Sequence, residues 1–188
     1  SRDIPLYECN LTIDTEATFR DNIEQILSTM GLAELTWTTQ GKYKLLVEYP
    51  TSAVEQAALI SHNFNEDNII RDKIELSWVS ANERVNQATV NFFNENEDFK
   101  EDSIKWPPTG STLYNTYLAE DNNQPFRKNQ QVSGITDPYH AQAAAEHFVR
   151  TSRKQHIVKF SADKTGLTVE PGDFITITAP TSNLTGET

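Results

Sequence analysis

One cysteine, one methionine and seven glycines in 188 residues leave little material for several familiar kinds of chemistry. Cys9 is alone and cannot close an internal disulfide, so stability has to come from burial and hydrogen bonding. The glycines are scattered singly, whereas a loop that cradles phosphate needs several at short spacing. No apolar run approaches the roughly 20 residues that a membrane-crossing helix needs. The opening Ser1-Arg2-Asp3-Ile4-Pro5 does not read as a signal peptide. Positive charge is also short: 16 Lys+Arg against 27 Asp+Glu gives −11 at pH 7, a field that repels a phosphate backbone and argues against a nucleic-acid-binding module. What is present is apolar material for packed cores, 37% hydrophobic and 10% aromatic against 23% charged, enough for one large domain or two small ones. The chain has no initiator Met and stops at Leu184-Thr185-Gly186-Glu187-Thr188 without a closing element, so an excised piece of a longer polypeptide is expected.

Residues 6–13 alternate like a strand, which makes Cys9 a small buried hydrophobe. After a cap at Asp14 or Thr15, Phe19, Ile23, Ile26, Leu27 and Met30 recur at helical spacing, and Gly31 is placed to end that helix. Strands at 35–39 and 43–49 flank Gln40-Gly41-Lys42, a hairpin turn. Residues 53–72 are ambiguous, with Val54, Ala57 and Ala58 compatible with a short helix. Strand texture returns at 72–80 and 88–93, and a boundary is expected between them.

The acidic run 94–102 reads as a solvated turn, a double proline follows at 107 and 108, and 109–131 reads as loop with short ordered pieces. Asp137-Pro138 opens a second helix, with Ala141, Ala144, Ala145, Phe148 and Val149 as its apolar stripe and Ser152-Arg153-Lys154 at its end. Strands at 156–161 and 174–178 close the sequence around a Pro171-Gly172 turn. The expected fold is α+β: two small β-rich subdomains, 1–82 and a barrel-like 83–188, each with one helix packed on a mostly antiparallel sheet. Phe19, Ile23, Ile26, Leu27 and Met30 should be buried together in the first subdomain. Phe148, Ile157, Val158 or Phe160, and Ile175 or Ile177 should be buried together in the second. Each half reads as strand, helix and two strands, which suggests a duplication without sequence identity.

Catalytic patterns are missing. His140 and His147 are seven residues apart on one helix, about 10 Å, too far to share an ion. His62 and His156 have no metal-ligand spacing around them. There is no Gly-x-Ser-x-Gly elbow, no Cys with a nearby His, and no carboxylate pair that the spacing selects. Asn-Leu-Thr sequons stand at 10–12, inside the expected buried strand, and at 183–185. No catalytic, cofactor-binding or metal-binding residue is expected, and no enzymatic activity.

The block Pro5-Leu6-Tyr7-Glu8-Cys9-Asn10, the helix Thr18–Leu27 and Gly41-Lys42-Tyr43-Lys44-Leu45 together resemble the hub region of the tip attachment proteins of lambda-like, long-tailed bacteriophages and related prophages. The likeness continues in order through Asn65–Ile70, Arg84–Val90, Gln142-Ala143-Ala144 to Ser152-Arg153, and Val169-Glu170-Pro171-Gly172-Asp173. It implies a structural component of the virion tail tip, made in the bacterial cytoplasm, that closes or extends the tail tube and links it to host-attachment parts. It also implies a homotrimer in the full-length protein, contacts with other tail proteins, and DNA passing through the assembly without specific binding. Glu95, Glu97, Asp98, Glu101 and Asp102 are candidates for a phosphate-repelling tube wall. Two other classes are set beside this one. A carbohydrate-binding adhesion module would gather Trp106, Tyr114 and Tyr117 on one solvent face, and a hub-associated hydrolase would need convergent carboxylates.

Overall fold

The computed structural model describes residues 8–14, 16–30, 33–47, 53–70, 74–78, 83–154, 156–179 and 184–187. In chain order the elements are α1 (Phe19–Ser28), β1 (Ala33–Trp37), β2 (Tyr43–Val47), α2 (Ala53–Leu59), β3 (Ile60–Asn65), β4 (Glu75–Trp78), β5 (Gln87–Asn94), β6 (Lys100–Trp106), α3 (Thr112–Glu120), β7 (Arg127–Gln131), α4 (Pro138–Ser152), β8 (His156–Lys159), β9 (Phe174–Ala179) and β10 (Leu184–Glu187). The class is α+β, as the sequence implied. Contacts divide the chain into two discontinuous units, 1–34 with 79–155 and 35–78 with 156–188. A single cut at 82/83 does not reproduce them, because β8 pairs with β4 and β9 with β3, which returns the C-terminal strands to the 35–78 segment.

The first unit is built on β5. Its sequence alternates, so Ala88, Val90 and Phe92 all face one side and are buried. β6 pairs antiparallel with β5, placing Ile104 opposite Val90, and β7 pairs parallel on the other edge, placing Lys128 opposite Ala88. α4 covers the buried face. Asp137 caps it, its carboxylate accepting from the Tyr139 N–H, and Pro138 takes the first helical position. Ala141, Ala145 and Val149, four residues apart, are fully buried, and the two alanines bring the helix close to the sheet. Val85, Trp106, Val132 and Ile135 complete this core, with Leu113, Tyr117 and Phe148 packed partly buried against it.

The second unit has smaller sheets: β1 with β2, β4 with β8, and β3 beside β9 beside β10. β3 runs parallel to β9 and β10 antiparallel to it. Its core is Phe64, Ile69, Ile177 and Ala179, with Val158, Phe160 and Ile175 partly buried around them. Phe64 meets Phe160 edge-on, with ring centroids 4.9 Å apart. The described strands form open sheets of two or three strands rather than a barrel, and the two units have different strand orders, so they do not duplicate each other. Gly172 has φ +88°, and a Cβ there would collide with Leu46 Cδ2. Gly172→Ala should therefore lower stability by about 1–2 kcal/mol in urea unfolding, the left-handed penalty for an L residue.

Several local expectations are corrected. Residues 8–13 form no strand; Cys9 is exposed, and so is Asn10 of the first sequon. The second sequon's Asn183 lies outside the described residues. Thr18, rather than Asp14 or Thr15, caps α1, in a reciprocal box with Asp21. On α1 only Leu27 is buried; Ile23, Ile26 and Met30 are half-buried, and Phe19 is 82% exposed because it sits at the outer start of the helix. Phe148 belongs to the α4–β5 core, whereas Val158, Phe160, Ile175 and Ile177 belong to the other cluster, so the expected joint core separates into two. The ordered pieces within 109–131 are a nine-residue α3 and the strand β7, and 53–65 resolve into α2 followed by β3.

Candidate functional site

Polar groups that the fold buries mark two joints in the first unit. One lies where α3 and α4 both end. Asp121 follows α3, and its side chain is 2% exposed. A carboxylate at a helix C-terminus is disfavoured by the helix dipole and needs cationic partners when buried. Arg153, the residue capping the end of α4, supplies them: its Nη1 donates to Asp121 Oδ2 at 2.8 Å and its Nη2 to Glu120 Oε2 at 2.6 Å. Arg84 Nη1 stands 3.7 Å from Asp121 Oδ1. Asn86 Nδ2 donates to Asp121 Oδ2 and to the Gln124 carbonyl, while Asn86 Oδ1 accepts from the Phe126 N–H. The Arg153 guanidinium also lies over the Tyr117 ring, 4.2 Å from its centroid. Burial works against the Arg153 charge, but the bonds to Asp121 and Glu120 outweigh it and raise its pKa above the ordinary arginine value. This network fixes the exit of both helices against the start of β5. Nothing in the sequence spacing announces it, since its central pair is 32 residues apart.

The other joint holds the segment 8–30 against the start of α4. The Asn10 N–H donates to the Gly134 carbonyl at 2.9 Å and Asn10 Nδ2 donates to Thr136 Oγ1 at 2.8 Å, while Thr136 Oγ1 donates to Glu95 Oε2 at 3.1 Å. Gly134 gives the segment room, for a Cβ there would collide with the Thr29 methyl and touch Cys9 Sγ. His140 Nε2 lies 2.8 Å from the Thr29 carbonyl oxygen.

The residues singled out from sequence do not converge. His140 is buried at that joint, His62 stacks 4.6 Å from Phe64 in the other unit, and His147 stands on α4; the His156 side chain lies outside the described residues. Among the described residues no three His, Cys, Asp or Glu side chains are close enough to hold an ion. The aromatic platform of the carbohydrate reading is not on one solvent face. Trp106 and Tyr114 are buried, and Tyr117 is partly buried under Arg153. Trp106 carries Arg150 over its ring at 5.5 Å, and the Tyr114 hydroxyl accepts from Arg127.

The acidic run spans the end of β5, the connection 95–99 and the start of β6, where Glu101 and Asp102 pair opposite Phe93 and Phe92. Asn94 caps a single 3-10 turn at Glu95–Glu97, and the chain reverses through Asp98 and Phe99, both at positive φ. Glu95, Glu97, Asp98 and Glu101 are exposed, while Asp102 is half-buried and accepts from Asn94 Nδ2 at 3.0 Å. Large exposed apolar side chains concentrate elsewhere, in the second unit. Trp37 and Tyr43 stack on the β1–β2 hairpin with centroids 4.1 Å apart, and Val54 and Leu167 are about four-fifths exposed (79% and 81%).

A family described as "Putative phage tail protein" matches residues 18–187, nearly the whole chain. The chain belongs to this family, and its role is that of a structural component of a phage tail, working among other tail proteins in the virion. No curated protein matches it. No helix among the described residues is long and apolar enough to cross a membrane.

Proposed function

We propose that this chain is the hub-region part of a tail-tip protein: it closes or extends the tail tube, links the tube to host-attachment parts, and works as a homotrimer in the full-length protein. The observation that carries the reading is the uneven burial of the second unit. Among its described residues the buried apolar core is Phe64, Ile69, Ile177 and Ala179, while Trp37, Tyr43, Leu45, Val54 and Leu167 stand exposed on its surface. A small unit that leaves this much apolar surface in water gains stability by packing against neighbouring subunits. The exposed acidic turn between β5 and β6 suits a wall along which DNA slides, because like charge keeps phosphate from sticking. In this reading the role is non-catalytic, and the polar networks around Asp121 and around Thr29 join elements of the fold.

Light scattering of the full-length protein tests this. A trimer is expected, and Val54→Glu with Leu167→Glu should shift it toward monomer while leaving the melting temperature of the 188-residue chain unchanged. A full-length protein that stays monomeric at every concentration would contradict the reading. So would turnover of peptidoglycan, glycan or ester substrates that one His or carboxylate substitution abolishes.

A further inference from the structure

We propose that His140 is an acid-sensitive latch that holds the N-terminal arm, residues 8–30, against helix α4. Thr29 caps the end of α1, where the last carbonyls of a helix have no partner within it. Its carbonyl oxygen can only accept, so His140 Nε2 must carry the proton in the 2.8 Å contact, which makes the neutral ring with a protonated Nε2 sufficient for the latch. Thr29 is 1% exposed and His140 7%, so neither end of this bond is shared with bulk water. The rest of the arm is lightly held. Among its described residues Leu27 and Thr29 are buried, most others are exposed, and Asn10 ties it to the body through Gly134 and Thr136. A segment with so few buried contacts opens at lower cost than the core beneath it.

The groups facing the ring decide the sign of its response. Glu8 on the arm and Asp137 at the cap of α4 both favour a cation, and Glu95 at the end of β5 is one bond removed through Thr136. Against them stand burial and the N-terminal turn of α4, whose dipole disfavours positive charge. Burial is the largest influence, and His140 is held below its ordinary value. With the arm detached the ring is in water and takes a proton near pH 6.5, its usual value. Latched, it resists until a lower pH. The open state therefore binds more protons in that window, so the latch is at full strength above about pH 6.5 and weakens as the pH falls from there to the lowered value.

Hydrogen exchange in the intact 188-residue chain, corrected for intrinsic exchange rates, reads this directly. The opening constant of amides Asn22–Ser28 should rise by up to about tenfold per pH unit below pH 6.5, the limit for one linked proton. Amides of β5 and of Ala145–Val149 should not follow. His140→Gln keeps an N–H for the Thr29 carbonyl but cannot titrate, and it should remove the pH dependence from the arm. In the wild-type chain, which needs no variant to fold, the His140 ring resonances should titrate below 6.5 in step with arm opening. A ring that titrates at or above 6.5, arm protection that ignores pH, or an unchanged pH dependence in His140→Gln would overturn the proposal.

Discussion

Replacing Asp121 by alanine should lower stability by about 3–5 kcal/mol, the usual cost of leaving a buried charge without its partner. The loss comes less from the attraction removed than from what remains. Arg153, with a side chain 8% exposed, would keep its cation with Glu120 and the Tyr117 ring still facing it but without its buried carboxylate. Arg84 would lose its contact, and Asn86 one of its two acceptors. Two controls separate this from a surface effect. Glu120 is 48% exposed, so Glu120→Gln should cost no more than about 1 kcal/mol. Asp121→Leu combined with Arg153→Met should recover much of the loss, because an apolar pair of similar volume needs no charge compensation. Urea unfolding with a common m-value measures all three. If Asp121→Ala cost less than the Glu120 change, the network would not hold the helix ends.

Phe92→Ala is the other large expected loss, again about 3–5 kcal/mol against a total that is commonly 5–15. Phe92 is 0% exposed on β5, in the same core as Val90, Ile135 and the alanines of α4, and close packing there means that deleting the ring leaves a void. Phe19→Ala makes the contrast: the same atoms are removed from a side chain that is 82% exposed, and the change should stay within about 0.5 kcal/mol. Sequence periodicity placed Phe19 in the core as well. Phe19 lies in line with the apolar stripe of α1, but burial grows along that stripe toward Leu27 and Thr29 and leaves its first residue in water.

What could be read from the sequence was whatever is decided within about ten residues. β5 and α4 were legible because one alternates and the other repeats every three or four residues, and each buries the face that its pattern names. The β1–β2 hairpin was legible from its turn. α3 was missed although Ser111 caps it and Leu113, Tyr114 and Tyr117 share its inner face, because threonine and asparagine between them blur the stripe. β7 was missed for a different reason. Arg127-Lys128-Asn129-Gln130-Gln131 has no apolar alternation, and it is a strand only because β5 offers its edge. Residues 6–13 show the reverse error, an alternation whose described part, 8–13, has no partner strand. The division into units was illegible since it rests on pairings such as Phe64 with Ile177. Both polar joints have the same character: His140 and Thr29 are 111 residues apart, and only the folded chain brings them together.

The central claim, a hub subunit at the tail tip, is tested most directly by a cryo-EM map of the assembled tail of the parent phage or prophage. The account predicts three copies of the α4–β5 body and of the β3–β9–β10 sheet around the tail axis at the distal end of the tube, with the apolar surface around Trp37, Val54 and Leu167 covered by neighbouring subunits. Density for these units hanging outside the tube, or sited along the shaft away from the tip, would contradict it.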